Sequence, residues 1–400
     1  MMIDALLLQL GYNATLVTLG ACLLGIAAGV AGTFLFLRKR ALVSDAISHA
    51  TLPGIALAFI VMVSFGGNGR SLFGLLFGAG VSAALGLLCL HWLTTRTRLG
   101  EDAAIGAVLS VFFGLGIVML TIVQTMNVGQ QAGLEGFLLG STAGMLRGDA
   151  LLLAVAASVV LSLVLFLRRP FELAAFDPAF AESSGWSLAW IDFAMMGIVL
   201  VVTVVGLKVV GLILIVALLI VPAVSARFWT DRSDGVILIA AILGGLSGYI
   251  GAALSAVAPA LPTGPIIVLV GFAFFVMSLL FAPKRGVLAS VLTHYQYQRQ
   301  IHLRQGLLAL AQGQPIYEAL TRRLMFRAGL ILPDGVATAS GQAAAAKALL
   351  DENRWSIVRA DQSFAAAATR YDGLTVIEEF LTPDQMNEVD GRIIAPRALF

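Results

Sequence analysis

Charged residues are scarce in this chain, because Asp, Glu, Lys and Arg make up only 12% of its 400 residues. Soluble globular domains carry roughly 25% charged residues, so an ordinary soluble globule over the whole length is excluded. The two cysteines, Cys22 and Cys89, are too few for a disulfide scaffold or a cysteine-based metal cluster. The net charge of +2 predicts no polyanionic partner, so nucleic acid is not an expected ligand.

Two motifs that would give the chain its own chemistry are also missing. The sequence contains no GxxxxGK(S/T) loop, so the chain cannot bind ATP through a P-loop of its own. It contains no HExxH motif, and His49 alone among its four histidines lies well inside an apolar segment, which argues against an intramembrane metalloprotease. The sequence therefore predicts a protein that is not an enzyme.

Hydrophobic residues make up 59% of the chain, and the charges divide it into two regions. Residues 1–286 hold 26 charged residues, whereas the much shorter stretch 287–400 holds 22. We therefore predict a transmembrane domain over 1–286 and a soluble domain over 287–400. A domain of this second size is long enough to bury a small core of its own.

The membrane domain is predicted to be all-α and polytopic, with about nine spanning helices. A span needs about 20 apolar residues. The segments that meet this requirement are 13–37, 41–63, 71–93, 101–126, 147–167, 188–206, 209–226, 235–257 and 264–282. As one helix, 193–226 would run about 51 Å, so a turn near Gly206–Gly211 is predicted, and a re-entrant segment there would leave eight spans. We expect the Gly-rich stretch 127–146 to form an outside helix or a re-entrant piece.

Basic residues predict the orientation, because they collect on the cytoplasmic side of a membrane protein. Groups of them follow the first, third, fifth, seventh and ninth predicted spans, namely Arg38-Lys39-Arg40, Arg96 with Arg98, Arg168-Arg169, Arg227 with Arg232, and Lys284-Arg285. We therefore expect the N-terminus outside and the C-terminal domain in the cytoplasm, with lipid around the spans.

The sequence Ser44-Asp45-Ala46-Ile47-Ser48-His49 lies inside the second predicted span. Asp45 and His49 are four residues apart, so a helix places them on one face. A carboxylate in mid-membrane costs roughly 2.5–3.5 kcal/mol, so this face should meet protein or a water-filled path. Pro53 leaves the His49 carbonyl without its helical donor. Carboxylate and imidazole together suit Mn, Fe or Zn, although a structural Asp–His hydrogen bond and a proton relay remain alternatives.

Other polar and proline positions give weaker indications. Pro222 is predicted to kink its span and to free the carbonyl of Leu218. Asp192, near the cytoplasmic start of a span, is interpreted as a snorkelling side chain. Glu101 is interpreted as a carboxylate that suits the N-terminal end of its helix dipole.

A short helix is predicted between the fifth and sixth spans, on the cytoplasmic side. Asp177 can cap its N-terminus, Pro178 can occupy its first position, and Gly185 can end it. From the residues alone, such a helix would lie on the membrane or dock on a partner with equal probability.

Together these motifs resemble the permease subunits of metal-ion ABC importers of the zinc, manganese and iron type. The matching stretches follow the order of that family over residues 13–285, and they are 38–54, 101–106, 138–140 with Asp149, 176–185, 211–226 and 262–264. Ser44 departs from the glycine that the family often has, which affects packing but removes no ligand.

The resemblance implies the partners and the cargo. We expect a separate cytoplasmic ATPase, an extracytoplasmic metal-binding protein, and a second permease copy or a sister permease. It implies no permanently bound cofactor but a transported divalent metal in the bacterial inner membrane, with manganese first and zinc or iron next.

The resemblance also implies the site residues. Asp45 and His49 match the metal pathway. The segment that matches the helix coupled to the ATPase contains Phe176, Asp177, Pro178, Phe180, Ala181 and Gly185. The alternative function is a proton-coupled secondary metal carrier that uses Asp45 and His49 as a relay.

The C-terminal domain is predicted to be α with a small β-hairpin. Helical patterns lie near 299–312, 315–329 and 340–353, and short strands are expected at 329–332 and 336–338. This order resembles the winged-helix part of iron- and manganese-dependent repressors. Residues 313–400 contain neither histidine nor cysteine, which excludes a His/Cys metal sensor there. An interaction or regulatory role is expected ahead of a passive appendage or DNA binding.

Overall fold

The computed structural model describes residues 11–67, 69, 71–126, 145–257 and 261–393. The predicted outside or re-entrant piece at 127–146 lies almost wholly outside these residues. The chain divides into two compact units, Met1–Ala289 and Ser290–Phe400. Each is built from helices over its described residues.

The first unit contains nine apolar helices and one short helix among its described residues. The apolar helices are α1 Tyr12–Leu37, α2 Val43–Ser64, α3 Leu72–Arg96, α4 Glu101–Thr125, α5 Arg147–Phe176, α7 Leu188–Val210, α8 Leu212–Trp229, α9 Ser233–Ser255 and α10 Thr263–Phe281, and the short one is α6 Pro178–Ser183. Eight of the apolar helices are long and apolar enough to cross a membrane, and α8 is the shorter ninth. The all-helical polytopic prediction is confirmed.

A glycine separates α7 from α8. Gly211 closes the first helix and opens the second, and its φ of 82° lies in the left-handed region that favours glycine. The turn predicted near Gly206–Gly211 is therefore found at its C-terminal end. The single 34-residue helix that the apolar run would otherwise form is broken there.

The helices α1 and α2 are the most buried of the eight, with 61% of their apolar window inside the protein, against 22% for α4, α5 and α10. Small residues permit this burial. A Cβ on Gly25 of α1 would lie 2.0 Å from the Gly244 carbonyl oxygen of α9, and a Cβ on Gly54 of α2 would lie 2.0 Å from the Gly78 carbonyl oxygen of α3. The backbones of neighbouring helices thus touch directly, as small residues allow in membranes. This places the SDAISH segment on one of the two inner helices.

The second unit is largely helical. It contains most of α11 Val287–Ala311, then α12 Ala319–Arg327, α13 Ala339–Ala360, α14 Ala365–Ala368 and α15 Pro383–Gly391. Trp355 of α13 is fully buried in its core, and its Nε1–H donates to the Thr375 carbonyl at 3.0 Å. The helices predicted near 299–312, 315–329 and 340–353 are present with shifted ends.

The predicted hairpin is reduced to one antiparallel bridge between Ile331 and Ala337. The second strand stops because Thr338 caps the N-terminus of α13, where its hydroxyl oxygen accepts from the Gly341 N–H at 3.1 Å. Over the described part of this unit no strand ladder forms, so the winged-helix resemblance is not confirmed. The strands expected at 329–332 and 336–338 are wrong at that length.

Candidate metal pathway and coupling segment

Asp45 and His49 meet on the first turns of α2. His49 Nε2 lies 3.3 Å from Asp45 Oδ1, and the side chains are 20% and 37% exposed. The edge of the His49 ring contacts Phe113 of α4, with ring centroids 4.9 Å apart. His49 Nδ1 is buried and makes no hydrogen bond to a described residue. One carboxylate oxygen and one imidazole nitrogen therefore stand together at a partly open face of a buried helix.

The hydroxyl groups beside this pair are satisfied by the backbone. Ser44 donates to the Ala41 carbonyl at 2.7 Å, and Ser48 donates to the Ser44 carbonyl at 2.8 Å. Both side chains are fully buried. These bonds leave Asp45 and His49 as the side chains of this stretch that could bind a metal ion, and Ser44 takes a packing position.

The two donors are by themselves too few for a metal site. Across the described ranges, no group of three or more His, Cys, Asp or Glu side chains could hold a metal ion. Tetrahedral zinc needs four ligands and manganese more. A complete shell at Asp45 and His49 would therefore need carbonyls, water or a second chain.

Both predicted kink residues lie inside continuous helices. Pro53 is a buried interior residue of α2, and Pro222 is one of α8. Each lacks an N–H, so the His49 and Leu218 carbonyls lose their helical donor. Kinking at these positions stays a prediction.

The short helix α6 has the ends that the sequence indicates. Asp177 Oδ1 accepts from the Phe180 N–H at 3.0 Å, and Pro178 follows as the first helical residue. Gly185 has a φ of 87°, and it donates to the Glu182 carbonyl while Trp186 donates to the Ala181 carbonyl, both at 3.0 Å. This is the Schellman pattern of a closed helix end.

The side chains of this coupling segment, Phe176–Gly185, are sorted by exposure. Ala181 is completely buried, whereas Phe176 and Phe180 are more than half exposed. The buried alanine fixes α6 against the membrane unit, and the two phenylalanines point outward. Their rings add exposed apolar area to the charged side chains at this end of the bundle.

Helix α5 is longer than the sequence predicted. The predicted span ends at residue 167, but the helix continues through Pro170 to Phe176. Pro170 leaves the Phe166 carbonyl without a donor, and Phe166 is 85% exposed beside two arginines, where water can reach it. About two and a half more turns thus connect the span directly to α6.

An ion-pair cluster lies at the same end of the bundle. Arg38 Nη2 donates to Asp192 Oδ1 and Oδ2 at 2.9 and 3.0 Å. Arg40 binds Asp192 Oδ2 at 2.8 Å and Glu101 Oε1 at 2.8 Å. Asp192 therefore forms ion pairs with Arg38 and Arg40, and Glu101 forms one with Arg40. The snorkelling interpretation of Asp192 is wrong.

The model of one protein family, described as the ABC 3 transport family, matches residues 12–282. The chain belongs to the ABC 3 transport family. Family membership covers the whole described membrane unit from α1 to α10. It places the chain among transport subunits rather than enzymes.

Two curated relatives show what this ABC 3 chain is similar to. The manganese transport system membrane protein MntC of Bacillus subtilis is 40% identical over 310 residues, which are 77% of this chain and 70% of that protein. The zinc transport system membrane protein TroC of Treponema pallidum is 39% identical over 277 residues, covering 69% of this chain and 91% of that one. The MntC match exceeds the 289 residues of the first unit, so it continues into the second.

A solved structure has the same fold. A chain of PsaBC from Streptococcus pneumoniae in complex with Fab superposes with a TM-score of 0.61 and 28% identity. The match covers 71% of this chain and 96% of that chain. The helical arrangement of this ABC 3 chain is thus shared with an experimental structure.

Sequence reasoning missed the Arg38–Arg40–Asp192–Glu101 cluster of this ABC 3 chain. A signal was present, because the predicted topology puts the basic end of the first span and the acidic starts of the fourth and sixth spans on one side of the membrane. Opposite charges at one membrane face indicate pairing. The partners are more than 150 residues apart for Asp192, so only the packing identifies them.

Proposed function

We propose that this chain is the membrane permease of an ABC importer that moves a divalent transition-metal ion into the cytoplasm, with manganese first, zinc next and iron after them. The observation that carries the proposal is the Asp45–His49 pair on α2. Membership of the ABC 3 transport family supports the transporter class. Relatives named for manganese and for zinc transport support the cargo.

The ligand pair suits an ion in transit. An aspartate oxygen binds Mn²⁺ well and an imidazole nitrogen binds Zn²⁺ or Mn²⁺, so the pair accepts borderline-hard divalent ions. Two ligands from one chain hold an ion weakly, and the ion must leave as well as enter. A second permease copy or a sister permease would bring matching ligands and complete the shell for a short residence.

The energy would come from a separate ATPase, since the chain has no P-loop. The coupling segment offers its docking surface, because α6 is capped at both ends and exposes Phe176 and Phe180. An extracytoplasmic metal-binding protein would deliver the ion from the other face. In this arrangement the N-terminus lies outside, and α6 and the second unit lie in the cytoplasm.

The direct test is initial uptake of labelled Mn²⁺ and Zn²⁺ by cells that express the complete importer. We expect Asp45→Ala to abolish uptake of the transported metal at normal membrane abundance, because one of two ligands is lost. The matched control is Asp102→Ala, which removes an exposed carboxylate in the first turn of α4. Undiminished uptake with Asp45→Ala would remove the pathway role.

The same assay separates the importer from the proton-coupled carrier. Replacing the P-loop lysine of the partner ATPase, which removes ATP hydrolysis, should stop uptake by the importer. A protonophore added at constant ATP should stop only the carrier. Uptake that survives the ATPase mutation and fails with the protonophore would replace our proposal with the secondary carrier.

A further inference from the structure

One backbone carbonyl at the end of α5 has lost its helical donor. The Ala174 carbonyl would accept from the N–H of residue 178, but that residue is Pro178 and has none. Arg38 Nη1 occupies this acceptor at 2.7 Å. The proline that begins α6 therefore also creates the acceptor by which Arg38 holds the last turn of α5, two residues before the coupling segment.

The other amino group of Arg38 binds Asp192 at the start of α7. The Arg38 and Asp192 side chains are 14% and 17% exposed, so their pair is largely shielded from water. Nη2 alone donates to both carboxylate oxygens and Nη1 donates to the Ala174 carbonyl, so the two arms of one planar guanidinium bind two different helices. Arg38 is thus attached both to the last turn of α5, directly before α6, and to α7.

The backbone at Arg38 leads directly to the metal pathway. Arg38 is the C-cap residue that follows α1. In the turn after it, the Arg40 N–H donates to the Leu35 carbonyl at 2.8 Å, and the Val43 N–H donates to the Arg40 carbonyl at 3.0 Å. Asp45 follows in the first turn of α2. Arg38 is thus connected through one hydrogen-bonded turn to the end of α2 that contains Asp45 and His49.

We propose that Arg38 is a positioning residue that transmits movement of the coupling segment to the metal-pathway helix α2, through its bonds to the Ala174 carbonyl and Asp192. This inference rests on the proposed function, because it needs an ATPase that moves α6. Arg40 stabilises this arrangement by binding Asp192 and Glu101, and Glu101 connects it to the start of α4. Arg38 Nε–H is buried and makes no hydrogen bond to a described residue, so one donor is free for a new acceptor when the segment moves.

A second ion pair on α5 provides a control. Arg168 Nη1 binds Asp234 at 3.0 Å, and Glu172 accepts from Ser233 at 2.9 Å. These bonds fasten the same end of α5 to α9, which does not contain the metal ligands. They also join an arginine and a carboxylate at this end of α5, although the Arg168 and Asp234 side chains are more exposed, at 39% and 49%.

The test is a reconstituted importer in proteoliposomes, with permease, ATPase and binding protein, in which Mn²⁺ uptake and ATP hydrolysis are measured on one preparation. We expect Arg38→Gln to lower the number of ions moved per ATP roughly tenfold, within the range of site-to-site coupling, while ATP hydrolysis stays near the wild-type rate. Arg38→Lys should give a number of ions per ATP between those of the wild type and Arg38→Gln, because a single ammonium cannot reproduce the planar guanidinium. Asp234→Asn should keep the wild-type ratio.

The possible outcomes separate the two proposals. If Arg38→Gln does not reach the membrane, Asp192→Asn decides by the same ratio, because it removes the carboxylate and keeps the Ala174 bond. If Arg38→Gln, or Asp192→Asn in its place, moves as many ions per ATP as the wild type, the role of Arg38 is overturned. An equal loss of ions per ATP in Asp234→Asn overturns it too. Failure of the wild-type importer to couple uptake to ATP would instead overturn the proposed function.

Discussion

At the scale of single residues, Asp45 and His49 offer donor atoms of different character. Asp45 offers a carboxylate oxygen, which hard ions such as Mn²⁺ bind readily. His49 offers Nε2, which lies 3.3 Å from Asp45 Oδ1. Imidazole contributes more to binding Zn²⁺ than to binding Mn²⁺. In the proposed pathway the pair would therefore set selectivity between these ions as well as affinity.

Replacing His49 should shift this selectivity. We expect His49→Gln to lower Zn²⁺ uptake roughly tenfold or more, at the lower bound of what losing support for a metal ligand costs, and Mn²⁺ uptake less. The measurement is competition between labelled Mn²⁺ and excess Zn²⁺ in cells with equal permease abundance. Equal losses for both ions would show that His49 does not discriminate.

The residue pair was within reach of sequence reasoning because its geometry is local. Residues four apart on any helix share a face, so the SDAISH stretch predicted the contact between Asp45 and His49. The Arg38–Asp192 pair could not be predicted from the sequence, because 154 residues separate its members. No spacing rule within one helix predicts that these two residues meet. They meet because α1 packs against α7.

At the scale of elements, the coupling segment is the clearest case of local control. Its start follows from an aspartate and a proline, and its end follows from the left-handed Gly185. These caps work through neighbouring residues, so the sequence predicted them. The extension of α5 to Phe176 was not predicted, because a proline inside a helix usually marks its end.

Removing the outward phenylalanine of α6 should weaken ATPase binding. We expect Phe180→Ala to reduce capture of the ATPase by the detergent-purified permease at least roughly tenfold, as loss of a buried aromatic anchor does at interfaces. Glu182→Gln, an exposed change on the same helix, serves as the control. Full capture by the alanine variant would place the interface elsewhere.

In the second unit, Asp361 links the end of α13 to Arg392 after α15. Hydrogen bonds from the Ser363 backbone and hydroxyl, together with the Arg392 guanidinium, lower the pKa of Asp361 from its ordinary value of 3.8 to about 2. A lowered pKa means that the folded state favours the carboxylate. Its stabilisation is complete above about pH 4 and is lost as the pH falls through about 2.

Acid should therefore destabilise the second unit partly through Asp361. We expect the urea midpoint for loss of protection in α13 to fall between pH 4 and pH 2 by more in the wild type than in Asp361→Asn. Full-length protein in detergent, equilibrated at each pH and pulse-labelled by hydrogen exchange at one common pH, provides the measurement. Identical pH dependence in both proteins would exclude a contribution from Asp361.

At the scale of the whole molecule, the membrane unit and the second unit each have a core of their own. Phe364, Ile377 and Val389 surround Trp355 in the second unit, and they belong to a cluster separate from those of the first unit. We infer that this unit acts in interaction or regulation rather than in translocation. The MntC match extends into it, so this region is not peculiar to the present chain.

Removing the second unit should leave transport and change its control. We expect a permease that ends at Gly286 to import metal at a rate close to wild type, because Asp45, His49 and α6 lie in the first unit. Inhibition of uptake by metal loaded into the cells should weaken. Unchanged uptake together with unchanged inhibition would make the second unit a passive appendage.

The backbone contact between α1 and α9 limits how this protein can diverge. A Cβ at Gly25, Gly29 or Gly248 would come within 2.0 to 2.3 Å of a carbonyl oxygen on the opposite helix. Any side chain there would push the two helices apart along their length. In lineages that descend from a common ancestor, accepted substitutions should therefore accumulate on the lipid-facing surfaces of α4, α5 and α10, while this seam stays almost unchanged.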